Sequence, residues 1–208
     1  MSIIDFRKKI HAALVTASGE SYDATVNLIQ DALIPRRTAD FKMDRVEQVA
    51  MYVSDMDRTK ANYARLGLTN WVDDTVTGEV KVAYGGNCKN GINIAHLSFN
   101  YDLGFELELI RYMNGPNWHH ANGRIGASGE PYDALPFPSH MSWHVEDMTE
   151  SKSMILAAGF KIAQEVKTIA HTNPYLVANG RKFNYCVFDT RAQLGWDIKL
   201  IERIEATK

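Results

Sequence analysis

Two stretches of this 208-residue chain repeat one phrase: VEQVAMYVSDMDRTKANYARLGL from Val46, and HMSWHVEDMTESKSMILAAGF from His140. Each has an apolar run, an acidic break and a helix-like segment ending in Gly. Gln48 to Asp55 is 7 positions, as is His140 to Asp147; Asp55 to Gly67 is 12, as is Asp147 to Gly159. A third interval, Gln48 to Glu108, is 60, against 59 from His140 to Lys199. Matching intervals in matching element types indicate an internal duplication, so the chain must fold as two equivalent units.

Each unit reads as strand, helix, then three strands, with a fourth candidate strand after the helix of the first. In the first, VEQVAMYV is a strand, Asp55 opens a helix and Gly67 closes it. Strands are expected around 70–74, 79–84 and 92–99, with Gly85-Gly86-Asn87 as a loop, and FELELIRYM is a further strand. In the second, HMSWHVED is a strand, MTESKSMILAAG a helix, and FKIAQEVKT, KFNYCVFD and GWDIKLIERI three strands. The expected organisation is a helical arm over 1–44, a first βαβββ module over 45–115, a connecting loop over 116–138 and a second module over 139–208. The loop carries His119 and His120, expected to be exposed.

Alternation along a strand says which residues share a face. Gln48, Ala50 and Tyr52 share one face of the first strand, and Glu106 and Glu108 point to that same side from FELELIR. In the second unit His140, Ser142 and His144 stand opposite Met141, Trp143 and Val145, while Asp197 and Lys199 stand opposite Ile198 and Leu200. Four equivalent strands thus turn polar groups away from the helices; a solvent-washed face or a lined cavity explains that, and the cavity alone accounts for one special position per strand.

Composition narrows the function. A net charge of −2 gives no attraction to nucleic acid or to an anionic membrane. No apolar run approaches the ~20 residues of a membrane span, and the N-terminus lacks the order of a signal peptide. Cys88 and Cys186 form neither a CxxC pair nor a zinc pattern. The expected setting is cytoplasmic and reducing, and the expected partner a small molecule.

The paired phrases resemble the vicinal oxygen chelate superfamily: glyoxalase I, epimerases, extradiol dioxygenases and bleomycin-type resistance proteins. The resemblance covers about residues 45–203. It rests on Gln48 before Val53-Ser54-Asp55, on His140 before Val145-Glu146-Asp147, and on Glu108 within LELI. It implies an α+β fold, two βαβββ modules forming an eight-stranded open cup. It also implies a divalent metal (Zn²⁺, Ni²⁺, Co²⁺, Mn²⁺ or Fe²⁺) on Gln48, Glu108 and His140, and a lyase, isomerase or epimerase acting on a small oxygen-rich substrate through a metal-stabilised enediolate. Lys199, in IKLI, departs from the pattern: an ammonium stands where such enzymes have Glu. The expectation is a three-ligand site with Lys199 turned aside, Glu108 or a neutral Lys199 being the base. A metal-free binding or resistance protein is the alternative. A dioxygenase fits less well, since the matched positions hold one His and lack the last carboxylate. The modules can close one cup within a chain or exchange between chains, so a homodimer is compatible with the sequence.

Overall fold

A computed structural model describes residues 46–84, 87–126, 136–171 and 182–204. The helical arm expected at the N-terminus lies outside them.

The first unit contains β1 (Gln48–Tyr52), α1 (Met56–Ala64), β2 (Val72–Tyr84), β3 (Asn87–Asn100) and β4 (Glu106–Asn114). A single-turn helix, α2 (Trp118–Ala121), follows. The second unit is β5 (Phe137–Val145), α3 (Met148–Ala157), β6 (Lys161–His171), β7 (Lys182–Asp189) and β8 (Asp197–Ile204), with a single turn, α4 (Arg191–Leu194), before the last strand. Both long helices start in the same way. The Asp55 carboxylate accepts from the Arg58 backbone N–H, and the Asp147 carboxylate from that of Glu150, each at 2.9 Å. After each helix comes a glycine in the left-handed region, Gly67 at φ 88° and Gly159 at φ 91°.

Backbone pairing repeats between the two units. β1 runs parallel to β4 with Gln48 opposite Glu106 and Ala50 opposite Glu108; β5 runs parallel to β8 with His140 opposite Asp197 and Ser142 opposite Lys199. Between the units, antiparallel β1 and β5 pair Gln48 with Ser142 and Ala50 with His140, so equivalent residues exchange partners about a local two-fold axis. The strand order β1-β4-β3-β2-β6-β7-β8-β5 closes into a barrel. The seam that an open cup would leave is bridged by β2 and β6.

One expectation needs correction. The two strands read around 70–74 and 79–84 are a single strand, β2. The break seen in the sequence is Gly78, where the β2–β6 register shifts between Thr77 and Glu79. A glycine inside a strand marked an irregularity in pairing rather than a turn.

Three apolar clusters follow from the alternation. Val53, Met56 and Leu109 pack under α1; Trp143, Val145, Ile155, Phe188, Ile198 and Leu200 pack under α3. The third fills much of the barrel, with Val76, Val80, Leu97, Phe99, Ile110, Tyr112, Trp118 and Ile201 among its members. The end of β4 leads into α2 through Gly115, at φ 84°, where an added Cβ would lie 2.1 Å from the Ile92 carbonyl oxygen and 2.7 Å from Asn93 Cα. Gly115→Ala is therefore expected to cost at least about 2 kcal/mol, combining a left-handed backbone with a backbone clash. Urea unfolding checks this, and an unchanged midpoint would show that the turn relaxes freely.

Candidate active site

The barrel interior holds a cavity of about 90 Å³, lined by Gln48, Glu106, Glu108, His140, His144 and Lys199 at one end and by Phe99, Tyr112, Trp118, Phe183, Tyr185 and Ile201 among its walls. That is space for several waters or a small organic molecule. The polar end is where the two parallel pairs, β1–β4 and β5–β8, meet.

Gln48, Glu108, His140 and Lys199 converge there. The Lys199 ammonium lies 3.1 Å from Gln48 Oε1, 3.2 Å from His140 Nε2 and 3.5 Å from Glu108 Oε2. His140 Nε2 is itself 3.1 Å from Glu108 Oε2 and 3.2 Å from Gln48 Oε1. Ser142 Oγ donates to Gln48 Oε1 at 2.5 Å. Lys199 is not turned aside, as the sequence reading expected: its Nζ stands at the point towards which the other three side chains point, and 5.0 Å from the Tyr185 ring centre.

This arrangement bears on the metal expectation. A dication bound to Gln48, Glu108 and His140 together would lie about 2.0–2.3 Å from each donor atom. Such a point is beside the ammonium, at a buried site where like charges repel strongly. While Lys199 keeps this position, the residues present do not fit a divalent ion.

Glu106, which the sequence reading placed on the correct face without assigning it a role, adjoins this cluster. Gln48 Nε2 donates to its Oε1, and Tyr101 Oη donates to its Oε2 at 2.9 Å. Among the described residues Glu106 has no ion-pair partner. Burial, reinforced by the neighbouring Glu108 charge, pushes its pKa above the usual carboxylate value. Glu108 goes the other way. Burial alone would raise it, but the Lys199 ammonium and the His140 hydrogen bond bring it below the usual value. His140 is lowered to about 4 by burial and by Lys199, so its imidazole is neutral at neutral pH.

Behind His140 runs a buried chain. Ser139 Oγ is 3.0 Å from His140 Nδ1 and 2.7 Å from His119 Nε2. His119 is fully buried, which corrects the expectation of an exposed loop histidine; His120 is exposed. The cause is local. The Asn117 side chain caps α2 by accepting from the His120 N–H at 2.9 Å, and the turn carries Trp118 and His119 inwards against Tyr52, Tyr112 and Phe137. Gln164 Oε1 holds this turn by accepting from the Trp118 N–H at 3.0 Å. One tautomer set satisfies the chain as follows: with His140 Nε2–H donated to Glu108, Nδ1 accepts from Ser139 and Ser139 accepts from His119 Nε2–H. His119 Nδ1 is then a bare acceptor, and it has no hydrogen-bond partner.

Asp197, which shares the strand face of Lys199 by period, is outside the cavity lining. It holds the fold together, accepting from Arg191 Nη2 at 3.1 Å and from Trp118 Nε1 at 3.3 Å. His144 lines the cavity, and its backbone N–H donates to Glu47 at 2.6 Å.

No family model matches this sequence, and no curated protein is a significant match. Solved structures do resemble the fold. A hypothetical protein from Bacillus halodurans is 14% identical, with 80% of this chain and 99% of the other aligned at a TM-score of 0.45. A methylmalonyl-CoA epimerase from Mycobacterium tuberculosis is 12% identical over 82% of this chain and 97% of the other, with a TM-score of 0.42. The Streptomyces coelicolor methylmalonyl-CoA epimerase, in complex with 2-nitronate-propionyl-CoA, is 12% identical over 80% and 100%, with a TM-score of 0.41.

Proposed function

We propose that this chain is a small-molecule enzyme of the isomerase type, moving a proton on the carbon next to a substrate carbonyl. The observation that carries this reading is the unequal treatment of two carboxylates on one face of β4. Glu108 is paired with Lys199, whereas Glu106, two residues away on the same cavity, has only the neutral partners Gln48 and Tyr101. Carboxylates set apart by their surroundings divide acid–base work from charge-holding work. Glu106 is the group free to take a C–H proton from a bound ligand; returned to the same face of the enolate the proton gives exchange alone, and returned to the opposite face after the enolate has turned it inverts the carbon. The electron pair left by the proton resides on the carbonyl oxygen as an enolate, and the barrel wall keeps bulk water from it.

The assignment differs from the earlier expectation, which gave the base to Glu108 or Lys199. Each is engaged with the other. A second reading, a metal-free binding chamber, draws on the aromatic walls formed by Phe99, Tyr112, Trp118, Phe183 and Tyr185.

Proton transfer is read by NMR as deuterium incorporation in D₂O, using hydroxyacetone, dihydroxyacetone and pyruvate as probes. Wild type should accelerate exchange of at least one probe. Glu106→Gln should lower that rate about 10²–10⁴-fold with little change in probe affinity. Binding without exchange would favour the binding chamber, and undiminished exchange in the variant would remove Glu106 from the reaction.

A further inference from the structure

We infer that Lys199 is the resident cation of this site, standing where a divalent metal would otherwise be held and offering its remaining N–H to an oxygen of the bound ligand. Three observations carry this. Gln48 Oε1, His140 Nε2 and Glu108 Oε2 surround Nζ at 3.1–3.5 Å, so the donor set of a metal site is arranged around an ammonium. Register places Lys199 on β8 at the position equivalent to Glu108 on β4: Lys199 is opposite Ser142 as Glu108 is opposite Ala50. The duplication has therefore put opposite charges at its two equivalent positions, and the pair meets across the cavity at 3.5 Å.

An ammonium has three N–H groups. Gln48 and Glu108 accept two of them. In the tautomer that gives His140 Nε2–H to Glu108, that nitrogen does not accept the third. Lys199 lines the cavity, and the unspent N–H is the donor available to a carboxylate, carbonyl or enolate oxygen. This ligand half rests on the proton-transfer reading above; the cation half does not. A lysine differs from a metal in having no exchangeable coordination shell. It can hold a single oxygen but cannot chelate two neighbouring ones, which favours ligands presenting one anionic oxygen to this end of the cavity.

The test is titration of tag-free, metal-stripped protein with Zn²⁺ and with Mn²⁺, followed by calorimetry; for Zn²⁺ the ¹H–¹⁵N signals of the His140 ring are followed as well. Wild type should leave the His140 signals unmoved and show no uptake assignable to this site. Lys199→Ala should take up about one equivalent of Zn²⁺ and shift them, and adding Glu108→Gln should abolish that uptake. One equivalent bound by wild type with the His140 signals moved would overturn the inference, as would a folded Lys199→Ala that binds neither ion. If Lys199→Ala does not fold, the wild-type titration decides alone. The two readings fail separately. Wild type that binds no metal and exchanges no probe proton retains the cation and loses the reaction; wild type that binds metal through His140 and exchanges protons does the reverse.

Discussion

Lys199→Met is expected to destabilise the fold by about 3–5 kcal/mol at neutral pH, the cost of removing one partner from a buried ion pair. The methionine keeps most of the stem and fills most of the volume, so the loss reports on charge rather than on a void. Glu108, which is 2% exposed, would be left with the neutral partner His140 and no ammonium. Its carboxyl would then prefer the protonated form, and its folded pKa would rise above the unfolded one. A raised carboxyl pKa means stability that is present at low pH and lost as pH rises through the folded value. The gap between Lys199→Met and wild type should therefore narrow on acidification. Adding Glu108→Gln removes the stranded charge and should recover much of the loss at pH 7. A double-mutant cycle in urea measures the coupling. Coupling under about 0.5 kcal/mol would mean that the two side chains do not share the buried site.

Wild type itself is expected to lose about 3 kcal/mol between pH 6.5 and pH 4 through His140 alone. Its pKa falls from 6.5 in the unfolded chain to about 4 in the fold, and each unit is worth about 1.4 kcal/mol. Between those values the unfolded chain takes a proton that the folded site refuses, so stability is full above 6.5 and drains as pH falls. His119 has the same sign, held well below its ordinary value first by burial and then by nearby positive charge, Arg124 foremost. Glu106 opposes them, because a raised carboxyl pKa favours the fold as the medium acidifies. The two histidines should dominate above the carboxylate range. His140→Gln should flatten the dependence of the urea midpoint on pH in this window, whatever it does to the midpoint at pH 7. A slope equal to that of wild type would show that His140 is protonated or solvated in the fold.

The two predictions concern the same few side chains for a reason. A barrel made of two equivalent units brings equivalent positions together at the local axis, and four polar residues there are enclosed by apolar wall. Burial makes each charge depend on its neighbours, which is why the ammonium of Lys199 sets the electrostatics of the residues around it. No helix among the described residues is long and apolar enough to cross a membrane.

Much of this was legible in the amino-acid order because it follows from local geometry. The repeated phrase encoded two βαβββ units; Asp55 and Asp147 marked helix starts and Gly67 and Gly159 their ends; strand period alone put Gln48, Glu106, Glu108, His140 and Lys199 on one side of the sheet. The tertiary structure decided what the side chains do once enclosed. Lys199 has a flexible four-carbon stem, and alternation gives its face but not where its tip ends. Only Gln48, Glu108 and His140, arriving from three other strands, place the ammonium at their centre. Asp197 shares that strand face by period, yet Arg191 and Trp118 claim it for the fold. His119 reads as a polar loop residue until Asn117 caps a turn that rotates it inwards. Glu106 and Glu108 are indistinguishable in the sequence, being the same residue on the same face. What separates them is that one finds a cation across the barrel and the other does not, a contact made between residues 91 positions apart in the chain.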